Sequence, residues 1–173
     1  MIRSCLIGAI FSLLALAFSL IMPLHAIAAD SHDYNKPEDV VAWIYRDFAF
    51  DAIMPLYWKN ASLAQQPGKT LLLYFIDELA SLILKDSQCV KQTHEICNLD
   101  FDPIFASQDP GAMDLEVSPA DKSNTVHVQF KYPSNGEKIS LSYKVEKTPQ
   151  GWRIRDIIYS NFGSLKKLLT EQK

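Results

Sequence analysis

Three stretches in the C-terminal half decide the fold: Thr125-Val126-His127-Val128-Gln129-Phe130, Lys138-Ile139-Ser140-Leu141-Ser142-Tyr143-Lys144-Val145 and Gly151-Trp152-Arg153-Ile154-Arg155-Asp156-Ile157-Ile158-Tyr159. Apolar and polar residues alternate in each, and a period of two puts successive side chains on opposite faces of a strand. Ser134-Asn135-Gly136-Glu137 joins the first pair and Thr148-Pro149-Gln150-Gly151 the second. Both links are short enough to make antiparallel neighbours, and Asn135-Gly136 is the strongest turn signal in the chain. A meander is therefore expected, with Met113–Val117 a candidate for a further short strand.

Upstream of these strands the period is helical. Pro37-Glu38-Asp39 opens a helix in the expected way, because proline suits the first turn and acids suit its positive end. Val40, Val41, Ile44 and Phe48, with Trp43 and Tyr45, mark its buried side up to about Phe50, with Arg46 and Asp47 turned outward. Met54-Pro55 breaks it, Leu56–Gln66 has room for a short irregular helix, and Gln66-Pro67-Gly68 is a turn. From Thr70 to about Lys85 an apolar run too long for a strand predicts a second helix, apolar around most of its circumference and so set in the core. Ser164 is placed to cap a last helix carrying Leu165, Leu168 and Leu169. Helices first and an antiparallel sheet after them describe an α+β domain with helices covering one sheet face.

The N-terminus has a different character. Arg3 precedes a nearly unbroken apolar run from Cys5 to Leu24, and Met22-Pro23 leads into Ala26-Ile27-Ala28-Ala29. That order reads as a cleavable secretory signal peptide over residues 1–28, which leaves 29–173 as a single domain. The competing reading is a retained membrane anchor, since about 20 apolar residues can span a bilayer. Arg3 is the only charged residue in 1–28, so cleavage moves the formal charge from −3 to −4. Basic residues are scattered among acids, without the clustered footprint of a nucleic-acid binder. A periplasmic or secreted protein, not inserted in the membrane after cleavage, is the expectation.

Cys89 and Cys97 are the cysteines left after cleavage, and an isolated pair this close is expected to form a disulfide in an oxidising compartment. A metal reading would recruit His94 and Glu95 beside the two thiolates, but that crowding matches no usual zinc spacing. No metal and no cofactor is expected. No serine has a histidine and acid placed by a known motif. Asn60-Ala61-Ser62 fits the glycosylation pattern, which matters only in a host that glycosylates.

A helical first half followed by a meander ending in Gly151-Trp152-Arg153-Ile154-Arg155-Asp156-Ile157 resembles the cone-shaped nuclear-transport-factor-two-like (cystatin-like) fold. More narrowly, Leu99-Asp100-Phe101-Asp102-Pro103-Ile104 with Gln108-Asp109, and Gly163-Ser164-Leu165-Lys166-Lys167-Leu168-Leu169, resemble domain of unknown function 3828, a family of exported or lipid-anchored bacterial proteins. The resemblance spans about Pro37 to Leu169 and implies no activity and no catalytic residues. The fold hosts both enzymes and binding modules, so function must be argued from a site.

Two groups of residues are candidates for that site. Asp100, Asp102, Gln108 and Asp109 lie in a polar stretch. Its acids suit general bases or a hard cation in type, but counting from Asp100 the sixth and twelfth loop positions hold Phe105 and Gly111, where a calcium loop needs glycine and glutamate. The plainer expectation is that Asp102 and Asp109 cap turns at Pro103 and Pro110. Trp152, Arg155 and Asp156 form the second group. If Trp152, Ile154, Asp156 and Ile158 lined the covered sheet face, Asp156 would be an acid among apolar neighbours, as a general base requires; otherwise it bonds a backbone group or an arginine. His127 falls on the face opposite Val126 and Val128. Two functions follow: a non-enzymatic binding domain for a protein or small apolar ligand, an immunity-type inhibitor among its forms, or a small hydrolase or isomerase with an acid in a sheet cavity. A deep pocket with a buried acid favours the enzyme, and a filled core with an exposed acidic or aromatic patch favours the binder.

Overall fold

A computed structural model describes residues 34–53 and 62–171, the backbone alone over 49–53, within the compact unit His32–Lys173. The signal-peptide reading, His32, the break at Met54-Pro55 and Asn60 lie outside the described residues.

Helix α1 spans Pro37–Ile53. Its start is closed by Asp39, whose carboxylate accepts a hydrogen bond from the Lys36 amide at 2.8 Å. Val40, Val41, Ile44 and Tyr45 are buried as the periodicity requires. Asp47, expected to point outward, is instead half-buried and accepts a hydrogen bond from the Tyr74 hydroxyl. A single turn of 3₁₀ helix at Leu63–Gln65 leads into α2, Gly68–Tyr74, and α3, Asp77–Thr93.

The expected single helix from Thr70 to Lys85 is therefore two. Phe75 and Ile76 adopt extended backbone, and the Ile76 amide donates to the Ile154 carbonyl at 3.1 Å. The sheet thus takes over the backbone bonds that a continuous helix would have made, and Asp77 and Glu78 open the next helix with acids at its positive end. Helix α3 then runs eight residues past the expected stop at Lys85, to Thr93, and His94 ends it in the left-handed region at φ 58°. Cys89, beyond that expected stop, lies on this last part of the helix. Its disulfide to Cys97, with Cα atoms 6.2 Å apart, ties the helix end to the returning chain. Replacing both cysteines with serine should cost about 2.5 kcal/mol by the loop-closure model, read as a urea midpoint below that of the oxidised wild type and close to that of the reduced wild type.

Five antiparallel strands follow in the order of the sequence: β1 Met113–Val117, β2 Thr125–Lys131, β3 Lys138–Thr148, β4 Gly151–Tyr159 and β5 Gly163–Ser164. The sheet is open. The turn between β2 and β3 has Gly136 at φ 73°, the conformation for which the Asn-Gly pair is suited. Helix α4, Leu165–Thr170, is capped by Ser164, whose hydroxyl accepts from the Lys167 amide at 3.2 Å. Helices cover one face of the sheet, as the α+β reading expects. That face carries Val126, Val128, Phe130, Leu141, Tyr143 and Val145, while His127 and Gln129 are exposed on the other.

Strict alternation fails on β4. Lys144 pairs with Asp156 but Val145 pairs with Ile154, so Arg155 is an extra residue in a bulge. Neither alternating set is the covered one: the buried apolar residues are Ile154, then Ile157 and Tyr159, and Arg153 is buried beside them. The bulge moves Asp156 out of register with Ile154 and off the covered face.

Candidate functional site

Between the covered face and the helices there is little room for a ligand. Tyr45 from α1 and Tyr143 from β3 meet edge to face at 6.1 Å, and Phe105 closes against Tyr45 at 5.9 Å and against Phe130 at 6.1 Å. These side chains are buried to within a few per cent of completely. The space that hosts a cavity in the second functional reading is filled by aromatic rings.

An open groove of about 640 Å³ lies elsewhere, between the C-terminal half of α3 and the loop 98–110. Asp86, Ser87, Val90 and Lys91 line it from the helix, Ile96 from the disulfide loop, and Leu99, Asp100, Phe101, Asp102 and Gln108 from the polar stretch. Three residues singled out in the sequence thus share one surface concavity, and Asp109 stands exposed beside its lining residue Pro110. Asp86 was not legible as a participant. It is a buried carboxylate on the helix that accepts from the Asn98 amide at 2.8 Å and so fixes where the loop departs.

The loop is held from behind through its backbone. The Tyr159 hydroxyl donates to the Pro103 carbonyl at 3.0 Å, Tyr45 donates to Ile104 at 2.7 Å, and Tyr132 shares its one proton between the Phe105 and Ala106 carbonyls, each at 2.9 Å. Four consecutive carbonyls are thereby taken by tyrosines from α1, the β2–β3 turn and the end of β4. Tyr45 has one proton and gives it to Ile104, so in the 2.8 Å contact between the two hydroxyls Tyr143 is the donor. Burial pushes the hydroxyls of Tyr45, Tyr143 and Tyr159 well above the ordinary tyrosine range, and they remain protonated donors.

Asp102 closes the front of the same turn. Its amide donates to the Ser107 carbonyl at 2.9 Å, its carbonyl accepts from Ala106 at 2.8 Å, and its Oδ1 accepts from the Ile104 amide at 3.0 Å. This is the turn cap read from Asp102-Pro103. Burial pushes its carboxyl up to about 6, against the two backbone amides, of Ile104 and Phe105, that favour the ionised form. Asp109 differs, since here its amide donates to the Ser107 hydroxyl at 3.1 Å.

At the mouth, Phe101 packs at 5.1 Å on Phe162, which stacks on Tyr159 at 4.6 Å. Phe162 is 41% exposed and Ile96 67% exposed. The groove therefore offers an acidic lining, one lysine and an apolar rim.

The second group stands apart from it. Trp152 is half-buried with Lys147 Nζ 5.6 Å from its ring centre, and Arg155 is exposed with Glu146 at 4.0 Å. Asp156 Oδ1 accepts from its neighbour Ile157 at 2.9 Å and from Lys166 at 3.0 Å, tying β4 to the first turn of α4. His127 Nδ1 lies 3.0 Å from the Ser142 hydroxyl. Among the described residues no three His, Cys, Asp or Glu side chains gather as a metal site would need, and no helix is long and apolar enough to cross a membrane.

No family model matches the chain, and no curated protein matches it. Among solved structures, a protein of unknown function from Bacteroides thetaiotaomicron is similar at 17% identity and a TM-score of 0.42, over 70% of this chain and 87% of its own. A phospholipid-binding protein from Ralstonia solanacearum, solved with a phospholipid, is similar at 19% identity and a TM-score of 0.30, over 78% of this chain and 69% of its own. At scores this low neither neighbour assigns a ligand or a fold family to this chain.

Proposed function

We propose that this protein is an exported, non-enzymatic binding domain whose groove between α3 and the loop 98–110 receives a segment of a partner protein. The observation that carries this reading is the division of labour in the loop. Its backbone is fixed from behind by the tyrosine hydroxyls, while Asp100 and Gln108, with Ile96 and Phe162 nearby, face outward. A wall already fixed loses little entropy on binding, and an exposed aromatic beside buried polar groups is the composition of interface anchors. Three acids against Lys91 favour a partner segment carrying lysine or arginine. Export rests on the signal-peptide pattern and agrees with the Cys89–Cys97 disulfide. Kinship with domain of unknown function 3828 belongs to the same proposal, as does its sharper form, an immunity-type inhibitor of a toxin acting on the cell wall.

The test uses the oxidised protein as bait in periplasmic extract, beside an Asp100→Lys, Phe162→Ala variant that folds to the same urea midpoint. A protein held in stoichiometric amount by the first bait and at least ~10-fold less by the second supports the groove. Equal capture by both baits rejects it, and a co-purified small apolar molecule moves the reading to a ligand carrier.

One observation favours catalysis instead. Asp102 lines the groove with a carboxyl pushed up to about 6, the range of a general base. Its Oδ1 is already engaged by the Ile104 amide within a turn, which suits a structural acid better. Hydrolysis of any substrate by the wild type, lost in Asp102→Asn, would reverse that ranking.

A further inference from the structure

A second concavity, of about 540 Å³, lies where the α2–α3 junction meets the β3–β4 hairpin, and shares no residue with the groove above. We propose that it is a binding site for a monocarboxylate on an apolar stem, with the Arg153 guanidinium receiving the carboxylate.

Arg153 is the reason. It is 9% exposed, lines the cavity, and belongs to the bulged strand β4. Its Nε donates to the Leu72 carbonyl at 2.9 Å and its Nη1 to the Trp152 carbonyl at 2.8 Å, and the guanidinium lies 5.3 Å from the Tyr34 ring centre. Nη2 has no hydrogen-bond partner among the described residues, and no carboxylate there pairs with this arginine. Nη2 therefore opens to the cavity, where an anion can pair with a charge that the carbonyls and the ring face match only in part. Burial lowers its pKa accordingly. The remaining N–H groups keep the planar fork that fits a carboxylate.

The rest of the lining selects the ligand. Glu78 and Glu146 are already offset by Lys166 at 2.6 Å and Arg155 at 4.0 Å, which leaves Asp77 as the one lining acid without an ion pair among the described residues. A single negative charge can be accepted beside it, whereas a dianion such as phosphate is opposed. Leu72, 43% exposed at this cavity, with Phe75, Ile76 and Pro149, gives the stem an apolar wall.

The experiment is an NMR titration of the purified, oxidised protein with octanoate, with 1-octanol and with inorganic phosphate at constant ionic strength. Octanoate should give saturable shifts at residues 72–78 and 150–153. Octanol, which has the stem without the charge, should bind at least ~10-fold more weakly, and Arg153→Gln should weaken octanoate by a similar factor. Asp77→Asn should tighten octanoate about 2-fold by removing the opposing charge, and leaves the arginine and its carbonyl bonds in place should Arg153→Gln fail to fold. Equal binding of octanol, phosphate competing as well as octanoate, or shifts confined to residues 100–108 would each overturn the site. None of the three rejects the groove, which shares no residue with this site, and the last would show octanoate binding there instead.

Discussion

Tyr45→Phe is expected to cost about 3 kcal/mol of folding stability, while Tyr143→Phe, the other half of the same hydroxyl pair, costs about 1 kcal/mol or less. The asymmetry follows from the direction of the bonds. Tyr45 donates to the Ile104 carbonyl and accepts from Tyr143, so its loss leaves a buried acceptor and a buried donor unmatched together. Loss of the Tyr143 hydroxyl removes a donor that only Tyr45 was using, and the bond to Ile104 survives. Both rings stay, so the packing against Phe105 and across the pair is kept. Urea unfolding with unchanged slope measures both values. Equal losses in the two variants would mean that the hydroxyl of Tyr45 is not the one that holds the loop.

Asp102→Asn should leave stability unchanged near pH 4 and raise it by about 1–3 kcal/mol at pH 8, a large gain for one atom exchanged. The sign comes from a carboxyl whose pKa is raised in the folded state to about 6, above its ordinary 3.8. Such a group contributes its full stability when protonated in both states, below the unfolded value, and that contribution is lost as pH rises through the folded value. Wild type should therefore weaken from about pH 4 to pH 7 where the asparagine variant does not, and the amide oxygen can still accept from Ile104. Thermal unfolding of the two proteins from pH 4 to 8 checks this. Parallel curves across that range would place the Asp102 carboxylate in water. The same variant separates the readings of the groove, since a turn cap tolerates asparagine and a general base does not.

Much of this architecture was legible because it rests on local chemistry. The alternation in β2 and β3, the Asn135-Gly136 turn, the Ser164 cap and the Cys89–Cys97 spacing each specify their structure within a few residues. What could not be read was set by contacts between distant segments. No proline or glycine marks the break at Phe75-Ile76; the carbonyl of Ile154, far along the chain, makes it. The bulge at Arg155 leaves no signature in an alternating string, yet it decides which face Asp156 joins. For the candidate site, Asp100, Asp102 and Gln108 stand out as polar residues in a loop, but the apolar pattern of the helix that forms the opposite wall stops at Lys85, before Ser87, Val90 and Lys91. The tyrosines counted only as apolar bulk. Where a hydroxyl points is a property of the folded chain, and four carbonyls of one turn depend on it.

That turn is gripped by main-chain oxygens, which every residue type possesses. Exchanging the outward residues Asp100, Gln108 or Asp109 therefore changes what the loop displays without changing where it is displayed. A scaffold of this kind can diversify its specificity by surface substitution alone, in the way that a fixed frame accepts different lettering. Variants randomised at those three positions should share one melting behaviour while differing in what they retain.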